Sequence, residues 1–314
     1  MTRETGILRL LMIRSLVAST IIVALLLALS KLSLDLSSFG LTAGLIALLV
    51  VAAVYYRGRG LSKVALIMEV MACGIGFSVL VLISTYLAVS VNAPLADEAL
   101  AAMDRTIGFD GVAFIRLIDG MPLLSWALMQ SYVSFALQLM ILPVLLVLFD
   151  RAASACALVL SYAIVCAIAS IVSVWFPALG SHVVYDIDPA SLQSVNAYFG
   201  HAFLSEFHGV RESAAFTVSL DRAEGILTFP SVHAAVALLC AACAWSVTLL
   251  RYPFLLLNVL MATATLTHGA HYLIDTIAGL ALAVVVLAAV FGLSRAPAVL
   301  STQVRPRLGG EPHA

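Results

Sequence analysis

Two short polar islands interrupt an otherwise apolar chain, Phe229-Pro230-Ser231-Val232-His233 and Gly269-Ala270-His271-Tyr272-Leu273-Ile274-Asp275. An imidazole can attack an electrophile or move a proton near neutral pH, and a carboxylate nearby can hold its other ring nitrogen. Pro230 ends an extended approach, Ser231 is a good N-cap, and His233 then falls in the first turn of a helix. An anion placed there meets free backbone N–H groups and the positive end of the helix. In the second island His271 and Asp275 are four apart, which puts both on one helical face. A histidine nucleophile or base requires such a pair. His268, three before His271, shares that face or is a solvated loop residue.

The islands must be brought together by the segment between them. Arg251-Tyr252-Pro253 is its only charged turn signal, leaving about 18 residues in each leg, or roughly 27 Å of helix, enough to cross a bilayer. A two-helix hairpin would therefore return both histidines to one side of the membrane.

Composition gives the setting. The 314 residues are 63% hydrophobic and only 11% charged, with a mean hydropathy of +1.11, too apolar for one water-soluble core. The expected fold is all-α, a polytopic membrane bundle of about eight spans near 10–30, 39–56, 65–90, 123–148, 153–175, 232–250, 253–270 and 273–293. The first span is too long for a signal core and lacks a small-x-small cleavage site, so it is expected to stay in the membrane. Polar stretches near 91–122 and 176–231 are expected as loops outside lipid. Residues 1–64 read as an N-terminal membrane hairpin, 65–294 as the catalytic membrane domain and 295–314 as a flexible cytoplasmic tail. Arg3, Arg9, Arg14, Arg57, Arg59, Lys63, Arg151, Arg251, Arg295, Arg305 and Arg307, 11 of the 16 Lys and Arg residues, fall on one side of such a bundle. That side is cytoplasmic by the positive-inside bias, which turns both islands to the periplasm, cell exterior or a lumen.

A net charge of −1 without a dense basic patch gives no reason to expect nucleic acid as a partner. Cys73, Cys156, Cys166, Cys240 and Cys243 all lie within apolar spans and read as packing residues. Satisfied helix-end polar groups, a proton relay, a metal site, transport and a non-catalytic lipid-binding role remain alternatives to catalysis at this level. Ionisable groups near spans are costly and often functional.

Both islands resemble the second and third signature segments of the type 2 phosphatidic acid phosphatase (PAP2) superfamily. The match rests on Phe229-Pro230-Ser231-Val232-His233 and on His271-Tyr272-x-x-Asp275 followed by Gly279. More narrowly, the chain resembles the branch related to inositol-phosphorylceramide synthase. Similarity runs from about Asp97 to the last span, through Asp104-Arg105-Thr106-Ile107-Gly108-Phe109-Asp110 and Val210-Arg211-Glu212. The resemblance implies a six-helix catalytic core in which His271 attacks phosphorus, Asp275 orients it, and His233 protonates the leaving oxygen. It implies that Ser231 helps bind phosphate, and that neither metal nor other cofactor takes part. Membrane lipids are the implied partners, with a phospholipid or lipid phosphate as donor and a polyol or lipid alcohol as a candidate acceptor. A phosphohistidine attacked by water would make a lipid phosphate phosphatase; one attacked by a hydroxyl would make a phosphotransferase.

Two departures qualify the match. The family's third segment begins Ser-Arg seven and six residues before the nucleophile, where this chain has Ala264 and Thr265. The first segment, lysine followed by arginine-proline, is missing as well. Arg211 is the nearest candidate for a phosphate-binding arginine, Arg222 its competitor. Relatives among the sphingolipid synthases vary at these arginines, which favours transfer slightly over hydrolysis. The long segment 176–231, with His182, Tyr185, Asp186 and His201 among its polar residues, is the expected source of selectivity, most of its charges being read as a solvated cap. A multi-pass protein of a bacterial inner membrane is expected, its site on the extracytoplasmic face.

The hairpin is testable with a membrane-impermeant thiol reagent. Cysteines introduced near Gly269 and near Tyr252 should label from opposite faces of sealed vesicles, whereas labelling of both from one face would sink the hairpin.

Overall fold

The computed structural model describes residues 2–295. The expected cytoplasmic tail therefore lies outside the described residues, apart from Arg295. In chain order the elements are α1 (Arg3–Ala28), β1 (Leu32–Leu34), α2 (Leu36–Gly58), α3 (Ser62–Ser90), α4 (Asp97–Thr106), α5 (Gly111–Asp119), α6 (Pro122–Val133), α7 (Phe135–Leu148), α8 (Ala152–Ser173), α9 (Ser181–Val184), α10 (Tyr198–Ala202), α11 (Leu204–Glu212), β2 (Phe216–Val218), α12 (Val232–Ala244), α13 (Arg251–Ala264) and α14 (Leu273–Arg295).

α8 is the axis. It packs against α1, α3, α7, α12 and α14, and its small residues Ala155, Ala157, Ser161 and Ala169 are fully buried, letting neighbouring backbones approach. α1 and α2 instead present exposed apolar faces such as Ile21, Leu25, Leu41 and Val54. An apolar surface of that extent belongs in lipid. Each of the apolar segments expected as spans is helical, but among the described residues five helices are long and apolar enough to cross: α1, α2, α3, α8 and α14. A sixth is reached if α5 and α6, bent by 110° at their junction, count together. Hydropathy counts apolar residues without seeing where a helix stops. Segment 123–148 divides at Ser134, 232–250 leaves helix after Ala244, and 253–270 does so after Ala264.

The polar stretches are more ordered than loops. α4 and α5 fill much of 91–122, α9 to α11 fill part of 176–231, and β1 pairs in parallel with β2, Leu32 opposite Phe216. This pair of three-residue strands is the one departure from an all-helical architecture among the described residues.

The basic turns gather at one end of the bundle. Glu69 binds both Arg9 and Arg57, Lys63 pairs with Asp150 at 2.7 Å, Arg151 Nε donates to Ser246 O at 2.8 Å, and Ser294 Oγ donates to Glu4. The N-termini of α12 and α14, which carry the polar islands, lie at the other ends of their helices.

α4 locks that second end. Its buried face is Asp97, Leu100, Ala101 and Asp104, spaced i, i+3, i+4, i+7 as one helical stripe. Asp97 accepts from Leu179 N and Gly180 N, and from Tyr272 Oη at 3.0 Å. Asp104 accepts from Leu273 N at 2.8 Å and Ile274 N at 2.9 Å, capping α14 from another element. Gly180, at φ +90, leaves no room for a Cβ because Ala270 O would lie 2.6 Å from it. Asp104→Ala should strand two N–H groups at the start of α14 and destabilise the protein by about 1–3 kcal/mol. Thermal unfolding in micelles checks this, with Asp104→Asn keeping part of the loss; an unshifted Asp104→Ala protein would show that the cap contributes nothing.

Candidate active site

Ser231 caps α12, its Oγ accepting from Ala234 N at 3.4 Å. Its own N–H donates to Asp275 O at 3.0 Å, and Gly279 lies so close that a Cβ there would be 2.1 Å from Ser231 O. α12 and α14 therefore begin side by side. The first N–H groups of α14 are taken by Asp104, and that of Tyr272 by Asp275 Oδ2 at 3.0 Å. On α12, Val232 and His233 are in the orphaned first turn, and both line the cavity described next.

A cavity of about 250 Å³ opens between the two helix starts, with His233, His271, Gly269, Tyr132 and Phe135 in its walls. His271 Nδ1 is 3.2 Å from Asp275 Oδ2. With Nδ1–H donating to the carboxylate, Nε2 keeps its lone pair. The pairing differs in detail from two residues on one helix face: His271 precedes α14, and Asp275 in the first turn reaches back to it and to Tyr272 N. His271 N donates to Thr265 O at 3.0 Å, fixing the backbone of the island. His233 lies flat on the Tyr132 ring at 4.2 Å and 6°, with Phe135 at 4.3 Å. Gly269 is required by that platform, since a Cβ would come within 2.8 Å of Tyr132.

Other expected site residues lie elsewhere. Ser231 is fully buried as a cap and is not in the cavity wall. Arg211 is on α11, its Nη2 donating to Ala93 O at 2.9 Å and its guanidinium over Phe207, and it does not line the cavity. Arg222 is exposed in the turn after β2. His268 is fully buried, with Nδ1 at 2.9 Å from Thr267 Oγ1, which removes the solvated-loop alternative. Among the described residues of the cavity wall none is Lys or Arg. The missing family arginine has a local reason: Thr265 is fully buried, its hydroxyl 2.7 Å from Thr276 Oγ1 across α13 and α14.

Several residues went unnoticed as site builders. Asp97, Asp104 and Tyr272 hold the island, and Tyr132 and Phe135 hold His233. The i, i+7 spacing of Asp97 and Asp104 was the available signal. His182, expected in a solvated cap, is fully buried behind the island against Gly200. Burial and then the neighbouring His201 push it down to about 4, so it is neutral at physiological pH. Among the described residues no group of three or more His, Cys, Asp or Glu side chains is arranged to hold a metal ion.

The geometry assembles a base-oriented imidazole, a second imidazole and open helix N–H groups around one cavity. A family model described as the PAP2 superfamily matches residues 98–289, more than half the chain, from α4 through both islands into α14. No curated protein and no solved structure matches the chain. With its long apolar helices, the chain belongs to the PAP2 superfamily and is an integral membrane enzyme of the phosphatase or phosphotransferase type, acting on lipid-like phosphate substrates.

Proposed function

We propose that the protein is a lipid phosphotransferase that passes a phosphoryl or phospho-headgroup to a hydroxyl acceptor through a phosphohistidine at His271. The observation that carries this is the placement of His271, oriented by Asp275, in the same cavity as His233. Nε2 of His271 attacks phosphorus, the bond from phosphorus to the leaving oxygen breaks, and the proton on His233 passes to that oxygen. In the second step the acceptor hydroxyl gives its proton to His233 as its oxygen attacks the same phosphorus. The phosphorus–nitrogen bond breaks and both histidines return to their starting forms.

The phosphate is seated against the N–H groups of Val232 and His233, with Ser231 acting through the cap that sets them. Arg211 and Arg222 approach it only if the segment 176–231 moves. A cavity wall without Lys or Arg suits a phosphodiester, which carries one negative charge, better than a phosphomonoester approaching two. That preference supports transfer and the branch related to inositol-phosphorylceramide synthase, with a diacylglycerol as leaving group. The second reading, a lipid phosphate phosphatase, uses the same residues with water as acceptor.

The gathering of basic turns at the far end supports a site on the extracytoplasmic face of a bacterial inner membrane. Residues 1–64 form an accessory membrane hairpin and 65–294 the catalytic domain in this reading.

Two experiments test it. His271→Ala should abolish acid-labile, base-stable labelling of the protein by radiolabelled phospholipid and suppress turnover, and robust turnover in that variant would remove the mechanism. His233→Ala should lower turnover by about 10²–10⁴, less with activated esters. Purified protein in mixed micelles should form a new phosphodiester only when a hydroxyl acceptor is added; inorganic phosphate released from phosphatidic acid equally with every acceptor would establish the phosphatase instead.

A further inference from the structure

A second cavity, about 590 Å³, lies between α1, α3 and α8, outside the catalytic cavity. α3 gives Leu80, Ser84 and Leu87 to it, and Ser78, Leu82 and Thr85 to the catalytic cavity. α8 divides likewise, with Ala163 and Ala167 on one side, Tyr162 and Cys166 on the other. Each helix thus shows neighbouring faces to the two spaces, which share Val81. The remaining wall is α1, which precedes the family-matched residues.

The groove has the dimensions and polarity of half a lipid bilayer. Along α1 and its C-cap it runs from Ser19 to Leu29, a rise of about 15 Å, one leaflet's share of a hydrocarbon core about 30 Å thick. Its wall is mostly apolar, broken by the hydroxyls of Ser19, Ser84 and Ser170, and carries its one charged side chain, Lys31, with Ser30 and Ser90 at the site end. Lys31 Nζ donates to Ser213 O at 2.8 Å and lies 3.4 Å from Arg211 O. Arg211 is bound to Ala93, two residues past Val91 of the groove wall, and its Nη1 is buried without a partner. Lys31 therefore stands in the groove wall with Arg211 behind it, a buried guanidinium N–H there lacking an acceptor.

We propose that this groove is a binding site for an anionic phospholipid of the leaflet that faces the active site, with one acyl chain between α1, α3 and α8 and its phosphate at Lys31 and Arg211. The lipid lies against the α3–α8 wall of the catalytic cavity without entering it. The site depends on none of the phosphorus chemistry proposed above.

Lipid retention tests this without any assay of turnover. Protein equilibrated with equal phosphatidylglycerol and phosphatidylcholine, then examined by native mass spectrometry, should keep one phosphatidylglycerol in preference to phosphatidylcholine. Lys31→Gln should weaken that retention about fivefold, and Lys31→Arg should restore it. Ala167→Trp, which fills the groove, should remove the bound lipid, while Leu48→Trp on the exposed face of α2 should not. Equal retention of both headgroups, or a phosphatidylglycerol kept by both Lys31→Gln and Ala167→Trp, would overturn the site. Lys31→Gln also releases the carbonyls of 211 and 213, so the groove-filling variant provides the independent check.

Discussion

The site depends on how closely α12 and α14 approach at their N-termini. Only a hydrogen at Gly279 lets the backbones touch at Ser231, and the Ser231 N–H to Asp275 O bond seals the contact. Small residues at helix crossings are a common device in membranes, where no hydrophobic gain drives helices together. Here the close approach also divides two positive helix ends between two tasks. Asp104 and Asp275 consume the end of α14, which immobilises His271, while the first turn of α12 stays open toward the cavity.

Carboxylates, rather than guanidiniums, organise this end of the bundle. Asp97, Asp104 and Asp119 each accept from at least two backbone N–H groups of a remote segment, and the three N–H groups of 193–195 all go to Asp119. Bonds to an ionised acceptor are about twice as strong as neutral ones. They let segments 91–122 and 176–231 keep fixed backbone paths where the chain has little apolar surface to bury. An arginine at position 265 would have to displace the buried Thr265–Thr276 contact between α13 and α14.

The local geometry of the two islands is legible in the sequence because spacing sets it. A cap, a first-turn histidine and a histidine–carboxylate pair within one turn are fixed by spacing, and the structure brings His233 and His271 to one cavity with Ser231 and Asp275 outside its wall. What was hidden is non-local. Nothing near Arg211 in the chain announces that its guanidinium goes to Ala93, or that Tyr132, about 100 residues earlier, forms the stacking platform for His233. The count of eight spans is left unconfirmed for a different reason: hydropathy integrates composition, whereas α12 and α13 end where their backbones leave helix, at Ala244 and Ala264. The polar segment was read as solvated since its charges are frequent, yet His182 and Phe207 within it are buried.

Electrostatics then narrows what the cavity can hold. Two unit charges 4 Å apart interact by about 4 kcal/mol at an effective dielectric of 20, and the fully buried Asp275 carboxyl already stands behind His271. A substrate bringing one negative charge meets the positive end of α12. A second negative oxygen would find no fixed cation among the described wall residues. Its desolvation would go uncompensated unless water or a mobile arginine entered. The aromatic and aliphatic walls that orient His233 therefore supply no cation of their own, and in the proposed function that absence is what favours a singly charged phosphorus group over a dianion.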